Sequence, residues 1–528
     1  MLRVDGLKLK PGEEITALRA KAAAALHINE REIVSCRALR RSIDARDGVS
    51  FLYAAAVEVK NEAAVLRRAK TASVWAPERY ALPVRTAAPQ MRPVVIGAGP
   101  AGLFCALVLA RCGAQPILLE RGQRVEQRQE DVRRFWQTGV LDPASNVQFG
   151  EGGAGAFSDG KLNTGTKDVR HAFILEQLVR FGAPEDILID AKPHVGTDRL
   201  HVVLKNLRAE LLSLGTDIRF GHQAVDFLFD GAQLSALRVA SGEGEYTLPA
   251  RHVVLAPGHS ARDTFACLAA RGVPMERKPF AVGVRIEHLQ CDMDAAQYKR
   301  FAGHPALPAA TYKLSAHTAA GRGVFSFCVC PGGQVVAAAS EPGRVVTNGM
   351  SELARDGENI NGGLLVSVTP EDFGGDDVLS GVAFQRQLEE AAFRLGGGDY
   401  TAPAQLVGDF LAGRPSAAPG RVTPSYRPGV RFCDLHECLP PFVCEALREA
   451  LPVLGRKLRG FDAPDAVLTA VETRSSSPVR ILRDETYQSA LRGLYPCGEG
   501  AGYAGGILSA AADGMRCAEE VLKELSYE

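Results

Sequence analysis

Neither sign of charge is in excess in this chain of 528 residues: lysine and arginine together number 61, as do aspartate and glutamate. Such a balance gives no general electrostatic case for a nucleic-acid or membrane-surface protein. Apolar runs of spanning length are absent, and the opening MLRVDGLKLKPGEE lacks the charged-then-apolar order of a secretory signal. A soluble, cytoplasmic protein with no membrane span is expected. C-x-x-C pairs are missing too. The 12 cysteines are scattered, and Cys105, Cys112 and Cys267 sit in apolar runs, where they read as small hydrophobes of a reducing compartment. Cys433, His436, Cys438 and Cys444 do not have the spacing of a zinc site, so no metal is expected. There is no internal repeat, and of the GxGxxG matches (97–102, 150–155 and 500–505) only the first is set in a complete strand, turn, helix, strand unit.

That one motif organises the rest. Val94, Val95 and Ile96 form a β-branched run into Gly97-Ala98-Gly99-Pro100-Ala101-Gly102. An apolar-periodic helix follows through Leu103, Leu107 and Ala110 to Gly113, and a second strand, Ile117 to Leu119, ends on Glu120. Strand, glycine turn, helix and strand in this order make a dinucleotide-binding unit. Gly97 permits the tight turn, Gly99 lets the backbone approach a pyrophosphate, and Gly102 allows helix to pack on strand. The helix N-terminus offers amides to the anion, and Glu120 stands where an acid bonds a ribose hydroxyl.

Along the chain, residues 1–88 read as a small α+β domain with a linker. It contains a strand over LRVDGLKLK, a helix after Pro11, and strands around Ile33–Leu39 and Phe51–Val59. These residues carry 16 basic and 10 acidic side chains, a net of +6. Arg37, Arg40, Arg41 and Arg46 have no interleaved aromatics, which argues against a base-stacking surface. Trp75–Pro93 reads as a linker. Residues 146–168, NVQFGEGGAGAFSDGKLNTGTKD, hold too many glycines for a stable helix or central strand, and suit close approach of backbone to an extended ligand. A helix from His201 to Leu214 leads to a run of strands ending at VVLAPG, Val253 to Gly258. Residues 271–464 change character, with alternating strands and a proline-rich stretch. Residues 465–528 return to the dinucleotide-binding style.

Three segments together, GAGPAG with LLERG, VVLAPG, and LYPCGEGAGYAGGILSAAADG, resemble the flavin-binding set of the glutathione-reductase-like, two-dinucleotide-fold flavoproteins. The longer phrases NVQFGEGGAGAFSDGKLNTG, FAVGVRIEH, FSFCVCPGGQVVAAASEPGRVVTNGMS and TRSSSPVRILRDE are similar to a family of FAD-dependent dehydrogenases without a known substrate, as is SIDARDGVSFLYAAAVEV. The fold implied is α/β: a Rossmann-like FAD-binding domain (89–270 and 465–528), an inserted mixed α+β substrate domain (271–464) and a small N-terminal α+β domain. The cofactor implied is noncovalent FAD. Its contacts are expected from Gly97, Gly99, Pro100, Ala101, Gly102, Glu120 and Arg121, from Gly153, Lys161 and Leu162, from Ala224 and Val225, from Ala256, Pro257 and Gly258, and from Gly498, Glu499, Gly505, Gly506 and Ile507. Gly505 and Gly506 are expected to present amides at a helix N-terminus to the pyrimidine edge of the flavin. Without C-x-x-C, dithiol chemistry of the disulfide-reductase kind is not expected. Without a second Rossmann fingerprint, NAD(P)H as transient reductant would dock without a dedicated domain.

FAD carries the hydride or electron step, so the protein's task is to position and tune it. Lys161 could set a positive charge near phosphate or flavin. Cys328 and Cys330 alternate on an apolar strand and are expected on one face, either toward the flavin or, as the favoured reading, as a core pair of small side chains. The run Thr473–Arg480 concentrates arginines and hydroxyls suited to an acidic substrate group or to bracing the domain junction. His259 and His288 are candidate general acids, and no catalytic residue is assigned. The expected function is an FAD-dependent oxidoreductase acting on a small molecule; the alternative is a flavin-dependent RNA-modifying or RNA-binding protein using the basic N-terminal domain. Oligomeric state is not legible.

Overall fold

The computed structural model describes residues 1–46, 48–84 and 89–526. Its centre is a five-stranded parallel sheet in the order Leu494–Pro496, Val253–Leu255, Val94–Ile96, Ile117–Glu120, Asp217–Phe220. The first four strands are buried on both faces, which is why their sequences read as unbroken apolar runs rather than alternating ones. The helix Pro100–Arg111 begins with proline at its first turn and lies between this sheet and the terminal helix Ile507–Leu525. The two helices meet backbone to backbone: a Cβ on Gly514 would stand 2.0 Å from the Ala101 carbonyl oxygen. A three-stranded antiparallel sheet, Gln223–Asp230, Gln233–Ser241 and Gly244–Pro249, flanks the parallel one.

The second body is a seven-stranded sheet ordered Ser315–His317, Gly323–Cys330, Asn359–Val368, Phe280–Leu289, Val467–Glu472, Ala402–Leu406, Val430–Phe432. The amphipathic helix Pro441–Lys457 buries Val443, Leu447, Leu451 and Leu454 in the core that this sheet shares. Val467–Glu472, which the sequence places in the returning part of the first domain, is instead a central strand here. All six of its positions are buried, as fits a strand covered on both faces. The chain crosses back just after it, where Val479–Ile481 pairs with Met275–Arg277.

The N-terminal unit runs strand, helix, strand, strand, helix, strand, with its sheet ordered Ile33–Asp44, Ser50–Val59, Leu2–Leu9, Ala72–Val74. It is tied to the first domain. Arg41 donates from Nε to Asp190 at 2.7 Å and from Nη2 to Asp186 at 2.9 Å, and the Ala191 amide donates to the Arg41 carbonyl. Tyr80 of the linker donates to Glu519 of the terminal helix at 2.9 Å. Residues 85–88 of that linker lie outside the described residues. Among the described residues, no helix is long and apolar enough to cross a membrane.

Candidate functional site

The carboxyl ends of the parallel strands open into a cleft of about 510 Å³ that reaches across to the seven-stranded sheet. This is where a doubly wound sheet binds its ligand. Of the residues expected to hold the cofactor, Gly97, Gly99, Pro100, Ala101, Glu120, Arg121, Gly153, Lys161, Ala224, Ala256, Pro257, Gly258, Glu499, Gly505, Gly506 and Ile507 all line it. Gly102, Leu162, Val225 and Gly498 are not in its wall. Gly102 is needed for packing, since a Cβ there would stand 1.8 Å from the Gly97 carbonyl oxygen. Leu162 belongs to the core, and Gly498, at φ +74°, donates its amide to Asp513 at 2.8 Å.

The glycine turn is dictated by contacts on both sides. Gly97 has φ +97°, and a Cβ there would come within 2.2 Å of the Ala256 carbonyl oxygen, so the turn and the VVLAPG crossing touch through bare backbone. Gly99 caps the helix, whose first intrahelical bond runs from the Leu103 amide to the Gly99 carbonyl at 2.9 Å. The amides of Ala101 and Gly102 precede that bond and have no intrahelical acceptor, which leaves them for an anion. A Cβ on Gly99 would meet no atom closer than the Gly153 Cα at 3.9 Å, and one on Gly258, Gly505 or Gly506 would meet nothing within 4 Å. The glycines therefore leave room that the protein itself does not fill, as a bound pyrophosphate and ring require. Glu120 is tied into the backbone: one carboxylate oxygen accepts from the Ala98 amide at 2.7 Å, the other from Gly122 and Gly150 at 2.9 and 3.0 Å. It joins three backbone segments while keeping lone pairs for a ligand hydroxyl.

The glycine-rich segment 146–168 is buried over much of its first half, and a single side chain holds it. Arg128, fully buried on the helix Val125–Thr138, donates to the carbonyls of Asn146 (2.8 Å), Val147 (3.0 Å), Gly150 (3.3 Å), Glu151 (2.7 Å) and Gly153 (2.9 Å). Burial pushes this guanidinium down to about 10, with Glu120 and Glu151 opposing the shift.

The opposite wall is charged. Lys161 lies 2.8 Å from Asp159, whose carboxylate also takes the Arg355 guanidinium, with Nε at 2.9 Å. Burial disfavours the lysine's charge, but the Cys330 and Cys328 thiols and Asp159 outweigh it and raise its pKa. Glu472 reaches the cleft from the end of its strand and pairs with the fully buried Arg285 at 3.1 Å. Burial pushes Glu472 up to about 7 despite Arg285. Glu499 is likewise raised to about 7 by burial, with the nearby Gly506 amide opposing the shift. The Gly505 amide at the start of the terminal helix donates to Ser509 Oγ at 3.2 Å. The free donors of that helix are the amides of Ile507 to Ser509, because the first intrahelical bond is from Ala510 to Gly506. His259 lines the cleft and is held neutral, pushed down to about 4 by burial and by Arg474 and Arg262. His288 does not line it and bonds the Phe461 carbonyl at 2.8 Å.

The arginines of 473–480 brace the junction. Arg474 donates to Glu389 at 3.1 Å from both Nε and Nη2, Arg262 takes the same carboxylate at 2.7 and 2.8 Å, and Arg480 pairs with Glu276 at 3.1 Å. Arg474 offers no uncommitted fork to an acidic substrate, and Arg480 does not line the cleft. Cys328 and Cys330 do not share a face either. The strand is irregular between Phe327 and Cys330, Cys328 has φ +41°, and Cys328 lines the cleft while Cys330 is buried.

Residues 90–304 match the family described as "FAD binding domain", and residues 279–475 that described as "FAD-dependent protein, C-terminal domain-like". A protein of Clostridium beijerinckii, described as uncharacterised, is 45% identical over 530 residues, covering 99% of each chain. The chain belongs to this family of FAD-dependent proteins. Its cofactor is FAD, and its enzyme class is that of the FAD-dependent oxidoreductases. The matches are to FAD-binding proteins broadly, not to the glutathione-reductase-like branch. Residues 1–60 match a domain of unknown function, which lends no support to an RNA-directed activity, and Arg41 of the basic stretch is spent on the domain contact. Solved structures with a similar course include the flavin-dependent brominase Bmp2 (13% identity, 84% of this chain and 80% of that one, TM-score 0.39). Another is the glycerol-3-phosphate dehydrogenase of Bacillus halodurans complexed with FAD (13%, 83% and 64%, TM-score 0.37). Likeness of this degree carries no argument about the reaction.

Arg128, Arg285 and Glu472 were not legible as site residues in the sequence. Arg128 did leave a signal: it falls in line with Val125, Val132 and Phe135 on the buried face of its helix, where a charge needs a buried partner. Arg285 and Glu472 left none, because their meeting requires two strands 187 residues apart to pair.

Proposed function

We propose that the family member described here oxidises or reduces a small molecule by hydride or electron transfer through noncovalent FAD lying along the cleft. The observation that carries this is the convergence on one cavity of the glycine turn, the glycine-rich segment, the VVLAPG crossing and the start of the terminal helix, from sequence positions 97 to 507. FAD would supply the electron or hydride chemistry at its ring. The Ala101 and Gly102 amides would hold its pyrophosphate, and Glu120 its adenosine ribose. Arg121, fixed by two bonds to Asp263 at 2.9 and 3.0 Å and lying over Phe149, would border the adenosine side. The ring would then lie toward the seven-stranded sheet. There Glu472 and Glu499, both raised to about 7, would be the groups able to take or give a proton near neutral pH. NAD(P)H is the reductant to try first.

Heat denaturation should release a yellow compound that behaves as FAD. Colour retained by the precipitate, or FMN in its place, would overturn the noncovalent FAD reading. Anaerobic photometry with NADH and with NADPH should bleach the flavin with one of them; bleaching by neither removes nicotinamide from the cycle.

A further inference from the structure

The wall of the cleft formed by the seven-stranded sheet contains a pair of thiols that the reading above does not use. Cys328 lines the cleft, and Cys330 lies buried behind it with its thiol directed at the Cys328 carbonyl, 3.3 Å away. Two cations converge on this pair. Lys161 Nζ is 3.9 Å and Arg285 Nη2 3.8 Å from Cys330 Sγ, and Arg285 Nη2 also donates to the Cys328 carbonyl at 2.9 Å. Arg285 is itself fixed by Glu472 and by Asn361 Oδ1 at 2.6 Å.

The backbone is bent to make this arrangement. A regular strand holds alternate Cα atoms roughly 6.6 Å apart, at the wide end of the disulfide range. The irregularity between Phe327 and Cys330 takes the segment out of that geometry. Cys328 adopts φ +41°, a left-handed conformation that is unfavourable for a side-chain-bearing residue and clusters at functional sites.

We propose that Cys328 and Cys330 are a redox-active dithiol that exchanges an electron pair with FAD, Cys328 being the sulfur on the flavin side. This rests on the placement of FAD along the cleft argued above. In the forward direction one thiolate and one thiol join in an S–S bond. The electron pair and the remaining proton pass to the oxidised flavin, leaving it reduced and anionic, so that atoms and charge balance. In reverse, reduced flavin opens the disulfide. The charge distribution suits the step. The neighbouring Cys330 thiol, together with Lys161 and Arg285, favours the thiolate at Cys328 and draws its pKa down against burial, while the same contact and burial push Cys330 up. A thiolate at the cleft beside a protonated partner is the reduced form that such a couple needs.

The test uses the full-length FAD-loaded protein, oxidised in air and then titrated anaerobically with dithionite. Two electron pairs per FAD are expected, falling to one in Cys328→Ser and in Cys330→Ser, with Cys291→Ser unchanged. Trypsin should release residues 323–344 as one peptide carrying both cysteines. From the oxidised protein it should be lighter by two hydrogens and refuse alkylation, and from the reduced protein it should take two alkyl groups. One electron pair per FAD in the wild type, with both cysteines open to alkylation after oxidation, would overturn the dithiol while leaving the FAD reading intact. Absence of releasable FAD would instead remove the reading on which it rests.

Discussion

The two walls of the cleft are built on different principles. The wall of Gly97 to Gly102 with Glu120 and the segment 150–155 works through backbone: amides at the helix start lack intrahelical acceptors, and missing side chains let chain pass chain at contact distance. The opposite wall, Lys161, Arg285, Cys328, Cys330 and Glu472, works through side-chain charge, and each member depends on a partner from another strand or loop. Backbone sites tolerate almost no added atoms and change little with pH. Charged sites tolerate isosteric change and respond to protons and electrons.

The largest effect should come from the first wall. Gly102→Val would force a Cβ to 1.8 Å from a backbone oxygen that cannot move without moving the turn. Loss of soluble, yellow protein is expected, read by circular dichroism and flavin absorbance. A folded variant with normal flavin would show that the helix can shift without cost and that the contrast between the walls is overstated.

Arg128→Met comes next. It leaves five carbonyls without their donor in a buried segment, and about 3–5 kcal/mol of stability should be lost. The midpoint in urea should fall, and flavin should be lost together with it. An unchanged midpoint would mean that water replaces the guanidinium.

Gly99→Val should separate binding from folding. The turn has room for a Cβ, so the protein should fold near its normal melting temperature, while the methyl groups project toward the phosphates. FAD affinity at least about tenfold weaker is expected, equivalent to about 1.4 kcal/mol. Equal affinity by equilibrium dialysis would move the pyrophosphate elsewhere.

The smallest effect belongs to the charged wall. The pKa of Glu499 is raised in the folded protein, so the stability linked to it is present at low pH and lost as pH rises from the unfolded value near 4.5 through about 7. Glu499→Gln should flatten that fall in urea denaturation series at pH 4.5 to 7.5. An identical slope in the variant would place the carboxyl in solvent.

How much could be foreseen divides along the same line. The glycine turn was readable because each glycine serves a local need, a positive φ at Gly97 or a close crossing at Gly102, and local need is written in adjacent residues. The terminal segment 498–507 was readable as a loop entering a helix, but the destination of its amides was not: Ser509 takes the Gly505 donor through a bond that pattern alone does not announce. The pairing of Cys328 with Cys330 on one face followed correctly from strand periodicity, and failed because one irregularity in the strand shifts the alternation.

By itself the sequence determined a parallel-sheet dinucleotide unit, a cofactor with a pyrophosphate, the tight turn at Gly97 and the close packing at Gly102, since these depend on steric facts within a few residues. Only the tertiary structure decided that Val467–Glu472 joins the second sheet, that Arg128 holds the glycine-rich segment, and that two cations stand over the thiols at 328 and 330. Those arrangements rest on electrostatic and hydrogen-bond partners brought from distant parts of the chain, and a charge in a sequence does not say which opposite charge it will be buried against.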